Sequence, residues 1–134
     1  MHIAEGLKHA RKVAGSREAV VCGDTRYTWE VFEQRTDALA RGLASLGVQR
    51  GDRVAALMLN CHRYLELYYA TARMGAVIVP LNIRLARPEI VFILNDSEAK
   101  ALIVDKTFAS HIVGRDVTPF LEYVIYSGDE TPAD

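Results

Sequence analysis

The stretch Gly51–Asn82, GDRVAALMLNCHRYLELYYATARMGAVIVPLN, decides the fold. Arg53 to Leu59 is an almost unbroken apolar run, short enough for a strand and too uniform to be half exposed. Asn60 interrupts it and is suited to cap a helix, because its side-chain oxygen can accept from free backbone N–H groups. Cys61 to Met74 then carries Leu65, Tyr68, Tyr69 and Ala72 at helical spacing. Gly75 supplies a left-handed stop, and Ala76 to Val79 is short and β-branched again. Strand, helix and strand in this order predict a crossover unit of a parallel sheet.

Working outward toward the N-terminus, Ile3 to Ala14 reads as an amphipathic helix with Ile3, Leu7, Ala10 and Val13 on one stripe. Its Lys8, Arg11 and Lys12 fit a solvated face better than a membrane contact. Ala19–Cys22 and Arg26–Thr28 flank Gly23-Asp24-Thr25 as a hairpin. Thr28 is an N-cap residue, and Glu30 and Glu33 place negative charge near the positive end of the helix it starts. That helix runs to about Leu46, with Val31, Phe32, Leu39, Leu43 and Leu46 as its buried stripe and Gly47 closing it. Trp29 is expected to anchor the hairpin to the helix.

Toward the C-terminus, Ile83 to Pro88 is a basic loop, and Pro88 suits a first helical turn. Ile90, Val91, Ile93 and Leu94 follow at helical spacing up to Asn95-Asp96-Ser97. Ala101–Val104 and Tyr123–Tyr126 read as strands with a short helix over 107–113 between them, and residues 127–134 form a polar, frayed tail. The alternation from residue 50 onward predicts an α/β fold, a doubly wound, mostly parallel sheet preceded by a helix and a hairpin. One α/β unit over residues 1–134 is expected.

Half the residues are apolar and a quarter charged, with 16 basic against 17 acidic side chains, so no general attraction to nucleic acid or anionic lipid follows. No apolar run reaches the ~18 residues of a membrane span, and the opening MHIAEGLKHARKVAGS has no signal-peptide core. Two cysteines, Cys22 and Cys61, lack metal-ligand spacing and read as reduced, which points to a cytoplasmic protein.

The phosphate loops GxGxxG and GxxxxGK[ST] and the GxSxG elbow are absent from the sequence. His2, His9, His62 and His111 have no i, i+4 partner for a metal. Cys61 beside His62 at a helix start invites a thiolate reading, but neither has a third group to orient it, and a packed cysteine beside a capping-turn histidine suffices. Asp105 after a strand lacks the acidic neighbours of a magnesium site. Arg84 and Arg87 stand out, because they follow the carboxyl end of a strand, where ligands of such sheets bind and guanidinium forks can meet phosphates. The plainer reading is solvated charges, or pairs with Glu89 and Asp96.

Several segments taken together resemble the N-terminal part of adenylate-forming enzymes, the superfamily of acyl-CoA synthetases, luciferases and peptide-synthetase adenylation domains. Tyr27-Thr28-Trp29-Glu30 with Val31 follows the opening pattern loosely. Leu46-Gly47-Val48 through Gly51-Asp52-Arg53-Val54-Ala55 follows "LG-[VI]-xxGDRVA". Ala72 to Asn82, ARMGAVIVPLN, follows the "A-x-x-x-G-A-V-x-V-P-[LI]-[ND]" core, and Arg84-Leu85, Glu89-Ile90 and Ile93 to Ser97 continue it. The form Asn82-x-Arg84-Leu85 is most similar to the fatty-acid and aryl-acid CoA ligases. The resemblance spans about residues 5 to 126.

This resemblance implies a parent that activates a carboxylic acid with Mg and ATP to an acyl-adenylate and passes the acyl group to CoA. The phosphate loop with its lysine, the adenine and ribose motifs and the C-terminal domain of the family are not in these residues. The chain alone is therefore expected to hold no catalytic residue, no metal and no cofactor of its own. Its partner would be the remainder of the ligase chain, or a second copy meeting it through an exposed apolar face. In some relatives an arginine in the loop after the "VPLN" strand contacts the nucleotide end of CoA; Arg84 matches that position and Arg87 is its neighbour. The alternative is a stand-alone, non-catalytic binding or interaction module derived from the same fold.

Overall fold

The computed structural model describes residues 3–111 and 114–128. These fall into two compact units, residues 1–50 with 60–76, and residues 51–59 with 77–134.

In the first unit, α1 (Ile3–Ala14) precedes a hairpin of β1 (Glu18–Cys22) and β2 (Thr25–Thr28), which leads into α2 (Trp29–Ser45), while α3 (His62–Met74) belongs to the same unit. The hairpin turn is two residues, Gly23-Asp24, because Thr25 already pairs with Cys22. Thr28 caps α2 as expected, its Oγ1 accepting from the Val31 N–H at 3.3 Å. Leu7, Val20 and Phe32 form the apolar centre, with Trp29 and Tyr69 packed against it, so Trp29 does join hairpin to helix. The Tyr69 ring meets Phe32 edge-on at 5.5 Å, a favoured aromatic geometry.

The expected helix stripes shift in this unit. On α3 the buried residues are Tyr64, Glu66, Leu67, Ala70 and Thr71, whereas Leu65 and Tyr68 are exposed. On α2 they are Phe32, Glu33, Thr36, Ala40 and Leu43, with Val31 and Leu46 at the surface. On α1, Ala4 and Leu7 are buried while Ile3 and Val13 are exposed. On α2 and α3 apolar residues occupy more than one face, and the face that turns inward carries the carboxylates, Glu33 and Glu66, that find guanidinium partners. Asn60 does not cap α3. The N-cap is Cys61, whose carbonyl accepts from Tyr64 and Leu65, so Asn60 lies one residue too early. Gly75 ends α3 at φ 72°, and a Cβ there would come within 3.0 Å of Arg50 Cγ.

The second unit contains a four-stranded parallel sheet in the order β4-β3-β5-β6, made of β3 (Arg53–Leu57), β4 (Val77–Pro80), β5 (Ala101–Asp105) and β6 (Tyr123–Ser127). The chain steps from β3 to β4 on one side and then to β5 on the other, which is the doubly wound order. The expected strand over 53–59 ends at Leu57, and the strand expected over 76–79 occupies 77–80. Pro80 is tolerated because it closes an edge strand. α4 (Arg87–Asp96) sends Ile90 and Leu94 into a cluster with Ala55, Leu57, Leu102, Val104 and Leu121. Each such aliphatic chain, buried fully, stabilises the fold by about 1.5–3 kcal/mol.

Between β5 and β6 the chain forms a 3-10 helix, Lys106–His111, in place of the expected helix over 107–113. Residues 112 and 113, and residues 129–134 of the expected tail, lie outside the described residues.

Candidate functional site

Four parallel strands bring Leu57–Leu59, Pro80–Asn82, Asp105-Lys106 and Ser127-Gly128 to one end of the sheet. The loop from β4 to α4 starts there and is held by its own residues. Asn82 Oδ1 accepts from the Arg84 N–H at 2.9 Å, and the Asn82 carbonyl accepts from the Leu85 N–H at 3.1 Å. The Glu89 carboxylate reaches back to the Ala86 N–H at 2.7 Å, half of a capping box, since Ala86 has no side-chain acceptor to reciprocate. The loop backbone is thereby fixed while its arginines point outward.

Arg84 and Arg87 are both exposed, and among the described residues neither makes an ion pair or a side-chain hydrogen bond. Of the plainer expectation, solvated charges or pairs with Glu89 and Asp96, the exposure of both arginines agrees with the first, and Glu89 is committed to the helix cap. Two exposed guanidinium forks on a braced loop have the charge and geometry that suit phosphate oxygens. Arg84 directly follows the braced residue Asn82-Ile83 turn, and Arg87 opens α4.

Elsewhere at this end of the sheet, Asp105 Oδ1 accepts from both the N–H and the hydroxyl of Thr107, at 2.9 and 2.7 Å. Its carboxylate thus closes the turn into the 3-10 helix. Among the described residues no group of three or more His, Cys, Asp or Glu is arranged to hold a metal ion.

The other charged constellation lies in the first unit, and sequence reasoning missed it. Glu33, expected to serve the helix dipole, is instead nearly buried between Arg73 at 2.5 Å and Arg11 at 3.0 Å. Asp37 takes the second arm of Arg73 at 3.0 Å and also pairs with Arg41. Arg35 binds buried Glu66 through two nitrogens, at 2.6 and 3.3 Å, and lies 4.7 Å from the Tyr27 ring centroid. The Glu66 hydrogen bond, opposed by burial, holds the Arg35 pKa above its ordinary value. An open cleft lined by Lys8, Arg11, Glu33, Gln34, Asp37, Arg41 and Arg73 lies over this network. Its carboxylates are already neutralised, so it ties helices together. The spacing Glu33-x-x-x-Asp37 on a helix was the only available signal, and it does not reveal partners forty residues away.

The His62 ring meets Tyr27 edge-on at 5.5 Å, and the Cys61 side chain makes no capping hydrogen bond. Tyr64, one turn on, has its pKa pushed up to about 12, by burial first and then by Tyr68.

Comparison with known proteins follows the same lines. A family model described as AMP-binding enzyme matches residues 7–132. The long-chain-fatty-acid–CoA ligase FadD13 of Mycobacterium tuberculosis is 45% identical over 80 residues, covering 60% of this chain and 16% of that protein. The 3-hydroxybenzoate–CoA/4-hydroxybenzoate–CoA ligase of Thauera aromatica is 33% identical over 134 residues, covering 98% of this chain and 24% of that protein. Among solved structures, the inhibitor-bound N-terminal domain of FACL13 from Mycobacterium tuberculosis superposes with a TM-score of 0.90 at 34% identity, covering 94% of this chain and 33% of that one. The anthranilate CoA ligase AuaEII, solved with anthranoyl-AMP, gives 0.89 at 26% identity, covering 95% and 25%. The chain thus spans about a quarter or less of the curated relatives' length.

Proposed function

The chain belongs to the AMP-binding enzyme family, and on that premise we propose that it is the first part of the N-terminal domain of an ATP-dependent carboxylic acid–CoA ligase acting on a fatty or aryl acid. Its own contribution is structural and recognitive. Arg84 and Arg87 meet the phosphates of the CoA nucleotide, and the parallel sheet fixes the loop that presents them. ATP, Mg and the acyl group are handled by segments outside these residues, so the 134-residue chain alone adenylates nothing. When bound to the complete enzyme, CoA supplies the thiol that accepts the acyl group. The residues of this chain hold its distal phosphates and thereby orient the rest.

The observation that carries this reading is the braced loop after β4, with two exposed arginines that have no anionic partner among the described residues. The test is a graft. Residues 7–126 replace the equivalent segment of the mycobacterial fatty-acid–CoA ligase, and acyl-CoA formation is measured with fatty and aryl acids. The reading expects a folded chimera that forms acyl-CoA, while the isolated chain gives no ATP–pyrophosphate exchange. A folded, ATP-binding chimera that forms no acyl-CoA, or an isolated chain that exchanges pyrophosphate, overturns it.

A further inference from the structure

The loop between β4 and α4 is pinned at both ends by buried aliphatic side chains. Leu81 is buried and its N–H donates to the Ala56 carbonyl at 2.9 Å, and Ile90, in the first turn of α4, is buried as well. Between these anchors three successive backbone N–H groups are answered from within the loop and the helix it starts. Arg84 donates to Asn82 Oδ1 at 2.9 Å, Leu85 to the Asn82 carbonyl at 3.1 Å and Ala86 to Glu89 Oε2 at 2.7 Å. Two side chains, Asn82 and Glu89, thus brace the backbone that carries Arg84 and Arg87. Both are exposed, so neither is there to fill a core. Their charges differ in an informative way. Asn82 is a neutral acceptor where an aspartate would form the same turn, and an aspartate would set a negative charge two residues from Arg84. Glu89 is an anion two residues from Arg87, but it is drawn back to the Ala86 N–H over the first turn of α4, where the positive helix end favours it.

We infer that Asn82 and Glu89 are positioning residues for the CoA nucleotide. They fix the loop in the shape that presents both guanidinium forks before CoA arrives, and they do so without giving the forks a carboxylate that competes with phosphate. This inference rests on the reading of the loop as the CoA phosphate contact and adds what sets the strength of that contact. A loop ordered in advance loses less conformational freedom when the ligand binds. The braces therefore act on the affinity for CoA, through the arginines, and touch no reacting atom.

The test measures KM for CoA and kcat in the grafted ligase. Asn82→Ala and Glu89→Ala should each raise the KM for CoA about 5-fold, the loss of roughly one hydrogen bond, with the effect on KM and not on kcat. Glu89→Gln keeps an acceptor for the Ala86 N–H and should bring KM back to the parent value. Asn82→Asp keeps the turn, adds the charge and should raise KM about 3-fold. In an Arg84→Ala background, Asn82→Ala should add less than about 2-fold, because the brace then has no fork to present. If Arg84→Ala alone leaves KM unchanged, the CoA reading of the loop falls and this inference falls with it. If Arg84→Ala raises KM while the two alanine brace variants do not, the inference alone is overturned. An Asn82→Ala effect equal in both backgrounds overturns it as well.

Discussion

The two units are held together by different physics. In the second, a parallel sheet and α4 enclose Leu57, Ile90, Leu94, Leu102 and Val104, and the ion pairs Lys100–Asp52 and Arg53–Glu98 lie at its margin. In the first, a small apolar centre is supplemented by charges that reach inward, with Glu33 and Glu66 buried and answered by arginines from other helices. An aliphatic core tolerates no loss of volume but is indifferent to salt. A core with paired charges depends on every partner being present, because removing one leaves the other desolvated.

The difference can be broken most forcefully in the sheet. Leu102→Ala removes a fully buried side chain from β5 and should cost about 3 kcal/mol of unfolding free energy, read from the urea midpoint. Glu33→Gln should cost about 2 kcal/mol by leaving Arg73 and Arg11 without their shared anion. A double-mutant cycle with Arg73→Met should recover part of that loss, which a simple volume effect would not do.

The Tyr64 shift predicts an alkaline effect confined to the first unit. Its folded pKa of about 12 lies above the unfolded value, so the stabilisation is complete below pH ~10 and is lost as pH rises toward 12. Tyr64→Phe should flatten that part of the stability–pH curve. Thr36 is fully buried in α2 and its hydroxyl finds no partner among the described residues, so Thr36→Val should stabilise by about 0.5–1 kcal/mol. The smallest effect is expected for the exposed Arg26–Glu18 pair, where Glu18→Gln should change stability by less than about 0.5 kcal/mol.

The same contrast explains what could be read from the sequence. Strands buried on both faces announce themselves as short apolar runs, and Val54 to Leu57 and Ala101 to Val104 need no partner to be recognised. Thr28, Gly47, Gly75 and Pro88 mark helix ends through local chemistry, and the structure places them at those ends. The buried faces of α2 and α3 were not legible. Their orientation is decided by Arg73 with Glu33 and Arg35 with Glu66, pairs 40 and 31 residues apart, and no periodicity within one helix encodes a partner on another. Of the candidate site, Arg84 and Arg87 could be named from their place after a strand end. That they stay unpaired depends on Glu89 turning back to cap its own helix, a choice that spacing leaves open.

The central claim is that the β4–α4 loop serves the CoA nucleotide and not the adenylation step. The most direct measurement is the KM for CoA of the grafted ligase with Arg84→Ala, taken beside its acid-dependent ATP–pyrophosphate exchange. The account predicts a KM for CoA raised about 10-fold, roughly 1.4 kcal/mol, with pyrophosphate exchange unchanged. An unchanged KM for CoA, or an equal fall in both half-reactions, would contradict it.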